Sequence, residues 1–318
     1  MVADSRLRVV FFGTPAFAVP TLRALIESRH QVVMLVSQPD RPKGRGHQVA
    51  PTPTKEVALQ HGIPVLQPTK LRDQAFLDDI SALRTDLGVV AAYGRILPDM
   101  LIRIPRFGMI NVHASLLPKY RGAAPIHRAV INGDRETGVT IMRIVPELDA
   151  GPMLAAVTTP IAGDATSVDI ERDLADAGGR LLADVVDRLA SGSVPEVAQD
   201  DAQATYAPKL EKIESPIDWR LPAQRIHDRV RGLQPWPMAS TAIEGIRCLI
   251  HRTSVADDPC DSGPGTVISL EGDAIVVAAG DRFAVNILQL QPEGKRVMSA
   301  REFLSGRRIP HGTVLGPP

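Results

Sequence analysis

With two cysteines in 318 residues, the chain has too few for a disulfide framework. Cys248 and Cys260 also stand at no metal-ligand or redox spacing, so a reducing compartment is expected. Aromatic residues make up only 4% of the chain, which excludes base stacking on rings as the main activity. Neither sign of charge dominates: 36 basic residues face 36 acidic ones. Neutrality does not settle the question of a polyanionic partner, because a local patch suffices to bind one. The charges are not segregated either, since residues 209–318 hold 14 Lys and Arg against 13 Asp and Glu. No apolar run reaches membrane-spanning length and the N-terminus carries no apolar signal segment, so the expectation is a cytoplasmic protein without membrane contact. The eight histidines form no H-x-x-x-H or similar pair, and no metal is expected. The G-x-G-x-x-G fingerprint is also missing. Gly13, at the end of the first apolar run, is followed by Thr14-Pro15-Ala16-Phe17-Ala18, which argues against a dinucleotide cradle.

What is present is an alternation of buried strands and amphipathic helices. Apolar runs at 7–12, 32–37, 87–92, 109–112 and 139–144 read as strands, and 153–160 as a further one. Helices are expected from Thr14-Pro15, read as N-cap and first-turn proline, to about Arg29, and near 54–61, 73–84, 124–131 and 166–191. This order over about 190 residues predicts an α/β domain with a doubly wound sheet over 1–191. Periodicity is lost at 192–209, which reads as a linker. Beyond it, a helix at 221–232 precedes short apolar runs at 246–250, 266–270, 274–278 and 283–290, the texture of a small β-barrel or sandwich over 210–318. Residues 38–53 form an unusually long connection for an α/β unit. It carries Arg41, Lys43 and Arg45 with glycines on both sides of Arg45, which suits phosphate contacts or simply a solvated charge run.

The chemistry gathers at strand ends. Asn111 and His113 lie two apart, so a strand turns both side chains to one face at its carboxyl end, where open α/β sheets place their ligands. Asp149 stands in the tight loop Glu147–Pro152. An amide can donate to a developing oxyanion, an imidazole can move protons near neutral pH, and a carboxylate within reach can orient that imidazole. Acyl transfer from an activated carrier to an amine needs this set and no protein nucleophile. Each residue also has a structural reading: a satisfied core histidine, an asparagine closing a turn, an aspartate capping one. Ser115 lies nearby, but no G-x-S-x-G elbow surrounds it, so a serine hydrolase is a weak reading.

Asn111-Val112-His113-Ala114-Ser115-Leu116-Leu117-Pro118, followed by Tyr120-Arg121-Gly122, resembles the signature of the folate-dependent formyltransferases. Gly138–Met142 and Leu148-Asp149-Ala150-Gly151 resemble that family's second motif. Phe12-Gly13-Thr14-Pro15, the Gln38–Gly46 loop and Pro235-Trp236-Pro237-Met238 narrow the likeness to the branch that acts on initiator methionyl-tRNA. The resemblance implies 10-formyltetrahydrofolate as formyl donor and co-substrate, with tetrahydrofolate left behind, and the α-amine of methionine on initiator tRNA as acceptor. It implies a Rossmann-like N-terminal domain and an OB-like C-terminal barrel that grips tRNA. Folate contacts are expected from Tyr93, Gly94, Arg95, Ile96 and Leu97 and from Ser115, Leu116, Leu117 and Pro118. Asn111, His113 and Asp149 are the expected catalytic residues. Arg41, Lys43 and Arg45 would reach the acceptor end of the tRNA. Ala114 stands where the family often has Gly, a change that touches no polar role. A related enzyme formylating a small amine, an amino sugar or purine precursor, would share the three catalytic residues and differ in the basic loop and the C-terminal domain. Nothing in the sequence demands more than a monomer.

Overall fold

The computed structural model describes residues 6–43, 48–192, 194–270, 272–307 and 309–317. The chain divides into two compact units. One comprises Met1–Pro125, Thr137–Pro160 and Glu171–Ala207; the other Ile126–Glu136, Ile161–Ile170 and Pro208–Pro318.

In the first unit the strands run, in chain order, β1 (Arg8–Gly13), β2 (Gln31–Val36), β3 (Arg41–Lys43), β4 (Gln48–Ala50), β5 (Val65–Leu66), β6 (Leu87–Ala91), β7 (Met109–His113), β8 (Arg121–Gly122), β9 (Glu136–Arg143), β10 (Met153–Pro160) and β11 (Tyr206–Ala207). Seven of them form one sheet in the order β10-β9-β7-β6-β1-β2-β5. The β1–β2, β1–β6, β2–β5 and β6–β7 pairs are parallel and β7–β9 is antiparallel. All five residues of β6 are buried, as are the last five of β1, which is why both read as unbroken apolar runs rather than alternating ones. Helices Ala18–Glu27, Pro53–Gln60, Gln74–Ala82 and the long Ser167–Ala190 connect or follow the strands. One core cluster joins Val10, Phe12, Val36, Val90 and Met109 of the sheet to Phe76, Leu77 and Ile80 of the third of these helices.

Two expectations for this unit change. The first helix begins at Ala18, with Phe17 before it and no side-chain cap, rather than at Thr14-Pro15. The Thr14 hydroxyl is engaged elsewhere: it accepts from the Gln38 backbone N–H at 3.2 Å and faces the Tyr93 carbonyl at 3.4 Å. The segment expected as a linker, 192–209, belongs largely to the first unit. Met153 and Val197 exchange backbone hydrogen bonds of 2.8 and 2.9 Å, and β11 pairs in parallel with β8. Short pieces bound one at a time to a loop carry no periodicity, so composition alone gave them no signature. The 38–53 connection also gains structure, because β3 and β4 form an antiparallel hairpin.

The second unit contains the helix Ala223–Gly232 and the strands β12 (Ala239–Ile243), β13 (Ile246–Val255), β14 (Val267–Ser269), β15 (Ile275–Ala278), β16 (Ala284–Pro292) and β17 (Met298–Ser299), followed by the short helix Ala300–Ser305. The sheet order is β12-β13-β16-β15-β14, with β17 on β16, and its pairs are antiparallel. The end of the chain ties the two edges of this sheet together. The Ala242 N–H donates to Gly316 at 2.9 Å, while Val267 donates to Thr313 and Leu315 to Gly265, both at 2.8 Å. The result is a curled antiparallel sheet whose edge strands share one closing segment, in keeping with the barrel-like reading.

Candidate active site

The parallel strands β1, β2, β6 and β7 end on the same side of the sheet, so the residues that follow them form one edge. Thr14 follows β1, Gln38 follows β2, and Tyr93 to Leu97 follow β6. Asn111 and His113 are on β7 itself, and Ser115 to Pro118 come directly after it.

His113 is buried, with Nε2 3.0 Å from the Tyr120 carbonyl oxygen. A carbonyl only accepts, so Nε2 carries the proton. In the neutral ring Nδ1 therefore holds the lone pair. That atom faces Asp149 Oδ2 at 3.7 Å, which is too far for a hydrogen bond; only when the ring is protonated does the carboxylate attract it. Asp149 Oδ2 accepts from the Gly122 N–H at 2.8 Å, and among the described residues Oδ1 has no hydrogen-bond partner. Asn111 is half-buried, and among the described residues its side-chain amide makes no hydrogen bond. An amide with free donors, an imidazole whose reactive nitrogen is open, and a carboxylate with an unused oxygen make a set that can stabilise an oxyanion and move a proton.

The turn after β7 is fixed by its own polar groups. The Ser115 hydroxyl, fully buried, donates to the Lys119 carbonyl at 2.6 Å. Thr140 of β9 donates to the Ser115 carbonyl at 2.7 Å and accepts from the Leu117 N–H at 3.1 Å. Leu117 is buried, whereas Leu116 and Pro118 are half-buried. Ser115 is thus spent on the backbone of the turn, which agrees with the absence of an elbow motif around it. The Asp149 loop returns past β9 so closely that a Cβ on Gly151 would lie 1.9 Å from the Arg143 carbonyl oxygen. Only glycine fits there.

The 93–97 turn divides its residues. Tyr93 is buried in the core cluster, edge-on to Phe12 with ring centroids 5.5 Å apart. Its hydroxyl has no partner among the described residues, and burial pushes its pKa up against the pull of the Arg95 charge. Tyr93 presents its carbonyl rather than its ring to the loops, accepting from the Gln38 side-chain amide at 2.7 Å. Gly94 has a positive φ of 79°, Arg95 turns to the carbonyls of Pro68 and Thr69 at 3.2 and 3.0 Å, Ile96 is 86% exposed and Leu97 is buried.

Arg41 lies exposed on β3, while the Lys43 side chain and Arg45 lie outside the described residues. The base of that hairpin is well braced. Lys55 contacts Asp40 and donates to Gln67 at 2.8 Å, and Gln67 donates to Asp40 at 2.7 Å and to the Gln38 carbonyl at 2.8 Å. Burial pushes the Asp40 carboxyl up, but the hydrogen bonds from Lys55 and Gln67 outweigh it and hold it below the usual carboxylate range. Among the described residues, no group of three or more His, Cys, Asp and Glu is placed to hold a metal ion, and no helix is long and apolar enough to cross a membrane.

Gln199, which sequence reading passed over, and Arg121, which it quoted only within a motif, sit against this site. Gln199 and Arg121 tie the Asp149 loop to the loop that holds His113. Their partners are 48 to 80 residues away in sequence, so no local spacing could have revealed them.

The site thus brings together a side-chain amide, an imidazole and a carboxylate. The chain belongs to the formyl transferase family: residues 7–186 match the formyl transferase model and residues 209–308 the model of the family's C-terminal domain. Among its relatives, it is 46% identical over 312 residues to methionyl-tRNA formyltransferase of Halalkalibacterium halodurans, covering 98% of each chain. It is 48% identical over 303 residues to that of Methylococcus capsulatus, covering 95% of this chain and 98% of the relative. Its fold is similar to that of an N-formyltransferase from Helicobacter canadensis solved in complex with folinic acid and dTDP-3-aminofucose, with a TM-score of 0.68 at 16% identity, covering 89% of this chain and 99% of that one. It is also similar to HypX from Aquifex aeolicus solved with tetrahydrofolic acid, with a TM-score of 0.63 at 17% identity, covering 94% of this chain and 47% of that one.

Proposed function

We propose that this transferase moves the formyl group of 10-formyltetrahydrofolate to the α-amine of methionine on initiator tRNA, acting in the cytoplasm as a monomer. The observation that carries the reading is the joint presence of Asn111, His113 and Asp149 at one strand edge, in a chain that matches methionyl-tRNA formyltransferases over nearly its whole length.

The residues fit a formyl-folate. The turn 93–97 offers peptide groups and an exposed Ile96 side chain, and Ser115 to Pro118 form a second rigid wall. The donor supplies an activated formyl group; the protein supplies placement and charge. The acceptor amine attacks the formyl carbon as the free base, the new C–N bond forms, and the bond from that carbon to the folate nitrogen breaks. Asn111 donates to the formyl oxygen as negative charge develops there. In its protonated form His113 donates from Nδ1 to the same oxygen, since Nε2–H is committed to Tyr120. Asp149 balances the imidazolium and, through its open oxygen, accepts the proton that the amine gives up. That proton then passes to the folate nitrogen as it leaves, so Asp149 ends as the carboxylate it began.

Arg41, Lys43 and Arg45 are assigned to the acceptor end of the tRNA; Arg41 lies exposed on β3, and Asp40 just before that strand is fixed by Lys55 and Gln67. The test is formyl transfer from 10-formyltetrahydrofolate to methionine-charged initiator tRNA, beside charged elongator tRNA and free methionine. Rapid transfer to the initiator alone is expected. Transfer to a small amino sugar or purine precursor in its place would move the protein to the small-amine branch of the family.

A further inference from the structure

We infer that Gln199 is a positioning residue for Asp149, acting as a clamp, anchored on Arg121, that fixes the Asp149 loop against the loop holding His113. The inference rests on the catalytic reading of Asp149 given above.

Asp149 has a left-handed backbone, φ 49°. Aspartate tolerates that region better than most residues, yet it is not the resting conformation of an L residue. The loop is therefore held rather than self-supporting. The Gln199 side-chain nitrogen donates to the Asp149 carbonyl at 2.8 Å and to the Gly151 carbonyl at 2.7 Å. The Gln199 side-chain oxygen accepts from Arg121 Nε at 3.0 Å and from Nη2 at 2.8 Å. A primary amide has two donors and two lone pairs, and here all four are used. The amide consequently has one orientation only, because a flip would set its oxygen against two carbonyls and its NH2 against a guanidinium.

Arg121 is itself anchored. It is buried, its Nη2 reaches Asp201 at 2.7 Å, and its backbone N–H donates to the Thr205 carbonyl at 2.8 Å. The next residue, Gly122, gives the N–H that holds the Asp149 carboxylate, and the preceding one, Tyr120, gives the carbonyl that holds His113. Gln199 thus fixes the backbone from which the Asp149 side chain springs, while Gly122 fixes its tip. The Arg121–Gln199 pair sets the distance between those two points. The 3.7 Å separation of Asp149 from His113 follows from this frame and not from a bond between them. A displacement of about 1 Å at reacting groups can cost about a hundredfold in rate, so a residue that touches neither substrate nor the reacting atoms still controls turnover.

The test compares Gln199→Met, Gln199→Glu, Asp149→Asn and the Asp149→Asn/Gln199→Met double variant in the full chain, with kcat and KM measured for both substrates. Gln199→Met keeps the length of the side chain and removes all four bonds. It is expected to lower kcat about 10- to 100-fold with both KM values within about threefold of wild type. Gln199→Glu still accepts from Arg121 but cannot donate to either carbonyl, so it is expected to be as slow; it also guards against a failure of the methionine variant to fold. The double variant is expected to be no slower than Asp149→Asn alone, because a positioning residue has nothing left to position. A wild-type kcat in both Gln199 variants, a Glu variant that restores the rate, or full additivity in the double variant would overturn the clamp. A near-wild-type rate in Asp149→Asn would instead overturn the catalytic reading of Asp149, whatever Gln199 does.

Discussion

Two aspartates, one in each unit, show how differently the same side chain is used. Asp228, on the helix Ala223–Gly232, is 2% exposed and faces Arg231, itself 5% exposed. Its Oδ1 accepts from Arg231 Nε at 3.0 Å, from Arg231 Nη2 at 2.7 Å and from Gln224 at 3.0 Å. Arg231 also donates to the Ala165 carbonyl at 3.0 Å. A buried charge needs hydrogen bonds and an opposite charge at hand, and Asp228 has both through Oδ1. Among the described residues Asp149 is paired with no arginine or lysine. It has a single backbone N–H on one oxygen and a histidine 3.7 Å away on which it makes no hydrogen bond. A carboxylate paired with a buried arginine belongs to the scaffold, and one left beside an imidazole is available for chemistry.

The largest expected effect is at Asp149. Asparagine at that position can still accept from Gly122 and suits a left-handed backbone, so Asp149→Asn removes charge and basicity while keeping shape. Steady-state formyl transfer is expected to fall by about 10²–10⁴ with an unchanged melting temperature. A loss under about tenfold, here or in His113→Ala, would end the proposed mechanism. In the proposed mechanism Asn111→Ala removes the oxyanion donor, and because that side chain bonds to nothing among the described residues, a loss of about 10²–10³ in kcat is expected without a loss of stability.

Asp228→Ala is expected to do the reverse. Leaving Arg231 buried without its carboxylate costs about 3–5 kcal/mol, which lowers the thermal midpoint by on the order of 10 °C. Activity per folded molecule, measured well below that midpoint, stays near wild type. If Asp228→Ala were slow but fully stable, the contrast between the two aspartates would collapse.

Much of this was legible from sequence because it is periodic or local. The strand carrying Asn111 and His113, the continuous burial of Leu87–Ala91 and the texture change beyond residue 209 follow from spacing and composition. The parts that were not legible depend on contacts that close over distance. Thr14-Pro15 looks like a helix start, yet the Thr14 hydroxyl finds Gln38 and Tyr93 across the strand ends. Tyr93 is an expected folate contact by motif, and with its ring packed against Phe12 it has its backbone to offer. The stretch around Gln199 reads as a linker because its partners, Arg121, Asp149 and Gly151, lie in two other loops. The nitrogen that His113 offers was also hidden, since it is settled by the carbonyl of Tyr120.

The smallest expected effect concerns a carboxylate between these extremes. Glu214 accepts from Arg128 Nη1 at 2.6 Å and from Nη2 at 2.9 Å, with both side chains about one-fifth exposed. The hydrogen bonds from Arg128 hold its carboxyl below the ordinary value of 4.5 against the opposing effect of burial. A carboxyl lowered in the folded state stabilises the protein above its unfolded pKa, and that contribution fades as pH falls through the folded one. Arg128→Met is therefore expected to be less stable than wild type by about 1 kcal/mol at pH 7. The gap should narrow as the pH drops below 4.5, which paired denaturant melts at pH 7 and pH 3.5 can follow. A gap that stays constant across that range would assign the role of Arg128 to its bonds with the Pro208 and Lys209 carbonyls, at 3.0 and 3.2 Å. Glu214 would then be a bystander rather than a smaller version of Asp228.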